Sequence, residues 1–202
     1  VVENVVAELR SSDFQPLWFE LGFGYGPDKS LPPVNRTSHG ITLSISGFVD
    51  RVDGWRNEKD GRLYLRVVDY KTGRKSFDLT EVWNGLGLQL LLYLFTLERE
   101  GSPLFGEQPV PAGVLYLPAR EAVLKGSRTM DEAARQKKLD KELLRKGLIL
   151  EDADVVEAME HGEGSLRFLP VKVKTKKDET TISGDALVSA EKLGRLDLHI
   201  QT

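Results

Sequence analysis

Residues 47–71 limit the possible folds more than any other stretch. They open Gly47-Phe48-Val49-Asp50-Arg51-Val52-Asp53 and close Val67-Val68-Asp69-Tyr70-Lys71. The segment Asn57 to Gly61 between them is polar, and Asp60-Gly61 is a hairpin signal. The stretch therefore reads as two strands joined by a turn. Residues i and i+2 of a strand share a face, so Asp69 and Lys71 project together while Val68 and Tyr70 point the other way. Residues 62–71 are apolar on both faces, the pattern of a strand central in a sheet. A carboxylate ending such a strand is costly unless something compensates it. If Asp50 comes alongside, two carboxylates and an ammonium group converge, a set suited to a divalent cation and to charge on a phosphate. The plainer reading of an isolated Asp-x-Lys has Asp50 and Asp53 capping a hairpin and Lys71 at an exposed strand end.

The neighbouring segments set the architecture. Residues 1–10 carry apolar residues at helical spacing and predict an amphipathic helix. Residues 17–23 predict a strand with Glu20 inside an apolar run. Residues 24–40, rich in Gly, Pro, Asn and Ser, read as a loop. Residues 41–53 read as one alternating strand. A helix over about 80–99, capped by Asp78 or Thr80, is apolar nearly all round and so belongs in a core. Gln89 and Tyr93 are the polar exceptions, four apart on one face, with Gly85 one turn earlier allowing a close approach. Ala112 to Leu117 predicts a strand stopped by Pro118, and 119–127 a connector. A charged helix over 130–146 stops at Gly147, a shorter one covers 152–160, residues 167–173 and 179–183 form a hairpin, and about 185–200 are helical.

Composition removes several classes of function. The chain has no cysteine, which excludes disulfides, a thiol nucleophile and Cys-ligated zinc or iron–sulfur groups within it. No apolar run reaches the 18 or so residues of a membrane span, and nothing resembles a signal peptide, so a cytoplasmic setting is expected. The formal net charge is -3. Phosphate neutralisation supplies most nucleic-acid affinity, so any nucleic acid would be gripped locally or delivered by a partner. No G-x-x-x-x-G-K-[ST] loop supports a nucleotide-binding enzyme.

Three motifs in order carry a family likeness: Gly47 to Asp53, Val68-Asp69-Tyr70-Lys71-Thr72-Gly73, and Gln89-Leu90-Leu91-Leu92-Tyr93. Together they resemble the PD-(D/E)xK nuclease domain of the RecB-like class, most closely that of the AddB family of bacterial helicase–nucleases. Phe19-Glu20-Leu21-Gly22-Phe23-Gly24 is similar to the Glu-x-x-Phe-Gly segment preceding those motifs in that family, and residues 112–162 are similar to its continuation. The likeness covers about residues 12–200. It implies a restriction-endonuclease-like α/β fold, a mixed sheet flanked by helices, as one nuclease domain over residues 1–202. The core would occupy about 12–118 and a helical and hairpin extension about 119–202.

The resemblance also implies roles. Asp50 and Asp69 would bind Mg²⁺ or Mn²⁺, the backbone carbonyl of Tyr70 would complete the metal shell, and Lys71 would position water or stabilise the transition state. Gln89 and Tyr93 would bind DNA or orient the site. Glu20 has two readings, an outer carboxylate of the site or a structural partner of Arg51. Asp53 reads as structural, paired with Arg51 or Arg66. Two features of the class are missing: a His ligand on an upstream helix, and the cysteines of an iron–sulfur cluster. No His precedes Glu20 and the chain begins at Val1, so the parts bearing them are expected to lie outside this chain. His39 reads as a bystander, and neither His161 nor His199 sits where the motif would place a ligand.

Arg74 and Lys75, leaving the sheet beside Lys71, are candidates for touching phosphate. The cations of the 130–146 helix are interleaved with acids, and a solvated face outweighs a DNA-facing patch. Core packing likewise outweighs base stacking for Trp18 and Trp83. The expected function is metal-dependent cleavage of DNA, a single strand from an unwound duplex, with a helicase A subunit as partner. The alternative is a catalytically incomplete nuclease fold that serves as scaffold or DNA guide.

Overall fold

The strand predicted to be central is central. In the computed structural model, which describes residues 1–24, 31–38, 40–73, 77–84, 87–120, 131–177 and 179–201, the elements run α1 (Val2–Arg10), β1 (Gln15–Phe23), β2 (Val34–Ser38), β3 (Ile41–Ile45), β4 (Gly47–Arg56), β5 (Leu63–Lys71), α2 (Leu79–Trp83), α3 (Gln89–Glu100), α4 (Ser102–Phe105), β6 (Val110–Pro118), α5 (Glu132–Glu142), β7 (Lys146–Leu150), α6 (Ala153–Met159), β8 (Gly164–Ser165), β9 (Lys172–Lys176), β10 (Glu179–Ser183), β11 (Leu187–Val188) and α7 (Ala190–Gln201). Six strands form a mixed sheet in the order β1-β4-β5-β6-β7-β11. The pairs β1/β4, β4/β5 and β6/β7 are antiparallel, while β5/β6 and β7/β11 are parallel.

The β4–β5 hairpin closes as its sequence requires. Gly61 takes a left-handed φ of 72°, its N–H donates to the Asn57 carbonyl, and the Asp60 carboxylate accepts the Arg62 N–H. The crossover from β5 to parallel β6 holds α2, α3 and α4, and α3 packs on β5 and β6 with Leu90 to Leu97 buried. One apolar core unites β1, β4, β5, β6 and α3 with β7, α6 and α7. Among the described residues no helix is long and apolar enough to cross a membrane.

Several expectations give way to local backbone demands. The 24–40 loop contains β2, which pairs with β3 as a separate two-stranded sheet turned at Gly40, φ 78°. The single strand expected over 41–53 is consequently two, broken at Ser46, because β3 pairs with β2 and β4 with β1 and β5. The single helix over 80–99 is also two. Asp78 caps α2 through the Thr80 N–H, α2 ends at Trp83, and Gly87 adopts φ 67°, which no helix interior accepts. Gly85 lies outside the described residues.

The charged helix is shorter than its charge pattern, ending at Glu142. Gly147 does not stop it but lies in β7, where a Cβ would stand 1.8 Å from the Val114 carbonyl oxygen of β6. The expected 185–200 helix starts at Ala190, since Leu187 and Val188 pair with Ile149 and Leu150. The hairpin near 167–183 is β9 with β10, and residues 167–171 lie outside it. Both β7 and β11 thus extend the main sheet from beyond residue 118.

Candidate active site

The β4/β5 ladder ends at the pair Arg51↔Val68. Immediately beyond, a side chain takes over from the backbone: the Asp50 carboxylate accepts the Tyr70 N–H at 2.7 Å. Asp50 is therefore seated against the Asp69–Tyr70 peptide. On the next strand Lys71 Nζ lies 2.6 Å from Asp69 Oδ2, as the alternation along β5 predicts. Asp69 is 16% and Lys71 36% exposed, so the pair is reachable from solvent yet partly walled in. Tyr70 turns away, its hydroxyl accepting from Arg51 Nη1 at 3.0 Å, so that only its backbone remains for the site.

Tyr116 was not anticipated. It pairs with Asp69 across β5/β6, and its ring lies 5.6 Å from Lys71 Nζ. Burial pushes its phenol above the ordinary range, and the negative charges of Asp69 and Glu81 add to this. The phenol thus stays protonated beside the carboxylate. Only strand register brings these residues together, and register is not written in either segment alone.

Gln89 and Tyr93 meet as their spacing requires, Gln89 Nε2 donating to the Tyr93 hydroxyl at 3.1 Å. Tyr93 stacks on Phe23 with ring centroids 4.5 Å apart. A Cβ on Gly47 would stand 2.2 Å from the Tyr93 oxygen, so the absence of a side chain at Gly47 lets α3 approach the start of β4. This links the Gln-x-x-x-Tyr helix to the strand that carries Asp50.

Asp53 is wholly buried and pairs with both arginines named for it. Arg51 grips it through Nε at 2.8 Å and Nη2 at 3.0 Å, and Arg66 Nε reaches it at 2.8 Å. Glu8 of α1 completes this cluster, accepting from Arg66 Nη2 at 3.2 Å and Arg145 Nη2 at 2.7 Å, with Arg51 Nη2 at 3.7 Å. Burial pushes the Glu8 carboxyl up, but Arg66, Arg145 and Arg51 together hold it below its ordinary value. Glu8 had no signal in the sequence beyond a place on an amphipathic helix.

The pair expected between Glu20 and Arg51 is not made, because Arg51 is committed to Asp53, Glu8 and Tyr70. Glu20 is exposed, at a left-handed φ of 50° uncommon outside glycine. The neighbouring pairs Phe19↔Arg51 and Leu21↔Val49 bracket it across from Asp50. Trp83 is not a core residue: it is 56% exposed and stacks on His199 at 4.0 Å. Trp18 packs against the core. Arg74, Lys75 and His39 lie outside the described residues.

No three His, Cys, Asp or Glu side chains gather as a ligand set among the described residues. The donors beside one another are Asp50, Asp69 and the backbone of Tyr70. All are oxygen ligands, and one or two carboxylates with waters and substrate phosphate are what Mg²⁺ ordinarily takes. The residues present fit such a cation.

The model of the PD-(D/E)XK nuclease superfamily matches residues 2–168. The chain belongs to this superfamily. It is also similar to segments of proteins named as the B subunit of an ATP-dependent helicase/deoxyribonuclease: 37% identical to that of Clostridium novyi (strain NT) over 84% of the chain and 15% of the relative, 36% to that of Anoxybacillus flavithermus over 95% and 16%, and 34% to that of Bacillus pumilus over 99% and 17%. The chain spans about a sixth of the length of these relatives. The mixed sheet with flanking helices is the α/β fold expected for the superfamily.

Proposed function

We propose that this chain is the DNA-cutting module of a helicase–nuclease and hydrolyses phosphodiester bonds with Mg²⁺ or Mn²⁺. The observation that carries the reading is the seating of the Asp50 carboxylate against the Asp69–Tyr70 peptide, with Lys71 Nζ 2.6 Å from Asp69. Asp50, Asp69 and the Tyr70 carbonyl would hold the cation, which when bound supplies Lewis acidity and a more acidic water. The Lys71 ammonium sets a positive charge where negative charge develops on the attacked phosphate and orients the attacking water. Gln89 and Tyr93 hold the start of β4 in place and with it Asp50. Glu20, across from Asp50, is an outer carboxylate that helps order the site. Arg74 and Lys75 follow Lys71 in sequence and would meet the backbone of the same DNA.

The names of the relatives supply the setting. The substrate is a single strand unwound from a duplex at a broken end, a helicase A subunit is the partner, and the compartment is the cytoplasm. An iron–sulfur cluster, with no cysteine here to hold it, would belong to other segments.

The test uses the full-length protein with single-stranded DNA and Mg²⁺ or Mn²⁺. Lys71→Ala is expected to slow cutting by roughly 10²–10³-fold, the cost of removing one transition-state donor, and Asp69→Ala to abolish it. Cutting that survives Asp69→Ala at the original rate would reject the assignment in favour of the scaffold reading.

A further inference from the structure

A second concavity opens beside the proposed centre, at the rim where β5 and β6 end and β7 begins. Its volume is about 140 Å³, and its walls include Lys71, Tyr116, Arg120, Lys141, Glu142 and Lys146. That is far above the roughly 10–15 Å³ that admits one water. Four cations face one carboxylate there, in a chain whose net charge is -3, so positive charge is concentrated at this place against the overall balance. Arg120 Nη2 donates to Glu142 Oε2 at 3.1 Å, which ties the end of α5 to the segment leaving β6. Arg120 Nε is buried and has no hydrogen-bond partner among the described residues. A buried donor without a partner is costly and is the group an anion would satisfy. Lys141 and Lys146 are exposed.

The order β4-β5-β6-β7 fixes the direction of this surface. Lys146 opens β7, two strands from β5, hence about 10 Å along the rim at a strand spacing of about 4.8 Å. A strand lying across the rim, with one phosphate at Asp69 and Lys71, would bring a neighbouring phosphate to Arg120, Lys141 and Lys146. Resting on the nuclease reading above, we infer that this pocket seats a backbone phosphate next to the one cut and so sets the path of the substrate strand. The lysines are read as point charges on phosphate and carry no base preference.

The test measures binding of the chain to fluorescein-labelled oligothymidylates in EDTA, where nothing is cut. One oligonucleotide is unmodified, and the others carry a single uncharged methylphosphonate at successive positions. Lys141→Gln/Lys146→Gln is expected to weaken binding roughly three- to tenfold at low salt and to lower the log–log salt slope by about 0.7, the share of one phosphate on a single strand. One methylphosphonate position should weaken binding by the wild-type chain and lose that effect in the double variant, the signature of a direct pair. An unchanged melting temperature checks the fold. The pocket proposal is overturned if the variant binds like the wild type, or if every methylphosphonate penalty persists. Cutting by Asp69→Ala decides the nuclease reading separately, so either can fail alone.

Discussion

At the scale of single residues, Gly47 shows how tightly the candidate site is built. A Cβ there would stand 2.2 Å from the Tyr93 hydroxyl oxygen but 3.5 Å from the ring carbon bearing it. The hydroxyl is held by Gln89 and its ring by Phe23, so it cannot yield freely. Gly47→Ala is therefore expected to cost about 1–3 kcal/mol, the usual range for overpacking, read from urea unfolding. The added methyl meets only the oxygen, so Tyr93→Phe should remove most of that cost: Gly47→Ala in the Phe background should destabilise by well under half as much. Equal costs in both backgrounds would mean that the oxygen is not the obstacle. The sequence shows such local pairs clearly. Asp69 with Lys71 and Gln89 with Tyr93 follow from the periods of a strand and a helix. Tyr116 and Glu8 could not be found this way, because each matters through residues distant in the chain: Asp69 by strand register, and arginines from β4, β5 and the start of β7.

At the scale of elements, the central strand, its hairpin, α1 and β6 were legible because apolar period and turn residues agreed. The breaks were not, since each depends on a glycine whose meaning is tertiary. Gly87 divides a run of apolar residues that reads as one helix. Gly147 reads as a helix stop but is the point where β7 closes on β6, with the Val114 carbonyl oxygen 1.8 Å from the missing Cβ. The same substitution should thus have opposite signs at two glycines. Gly147→Ala is expected to destabilise by about 1–3 kcal/mol through forced separation of β6 and β7. Gly194, exposed in α7 with open space around it, is expected to gain about 0.5–1 kcal/mol as Ala, from the lower entropy of the unfolded chain. Unfolding midpoints of the two variants give both signs, and a loss of stability at Gly194 would contradict the account.

For the molecule as a whole, the buried charges couple stability to acid. Glu8 fastens α1 to three arginines drawn from separate parts of the sheet. Its folded pKa lies below the ordinary 4.5, burial being outweighed by Arg66, Arg145 and Arg51. A depressed carboxylate contributes stability that is complete above the unfolded value and is lost as pH falls through the folded one. Glu160 works in the opposite sense. Burial raises its pKa despite the N–H groups of Leu169, Phe168 and Arg167 that it accepts. Ionised, it costs stability at neutral pH, and the cost is relieved as pH falls through the raised value toward 4.5. Lowering the pH from 7 should therefore leave the urea midpoint level or slightly higher at first, then drop it steeply below about 4.5. Glu8→Gln removes one side of a buried ion cluster and is expected to cost about 3–5 kcal/mol at pH 7, while flattening the acid limb. Glu160→Gln should remove the early rise and leave the acid limb in place. An acid limb as steep in Glu8→Gln as in the parent would locate acid sensitivity elsewhere in the chain.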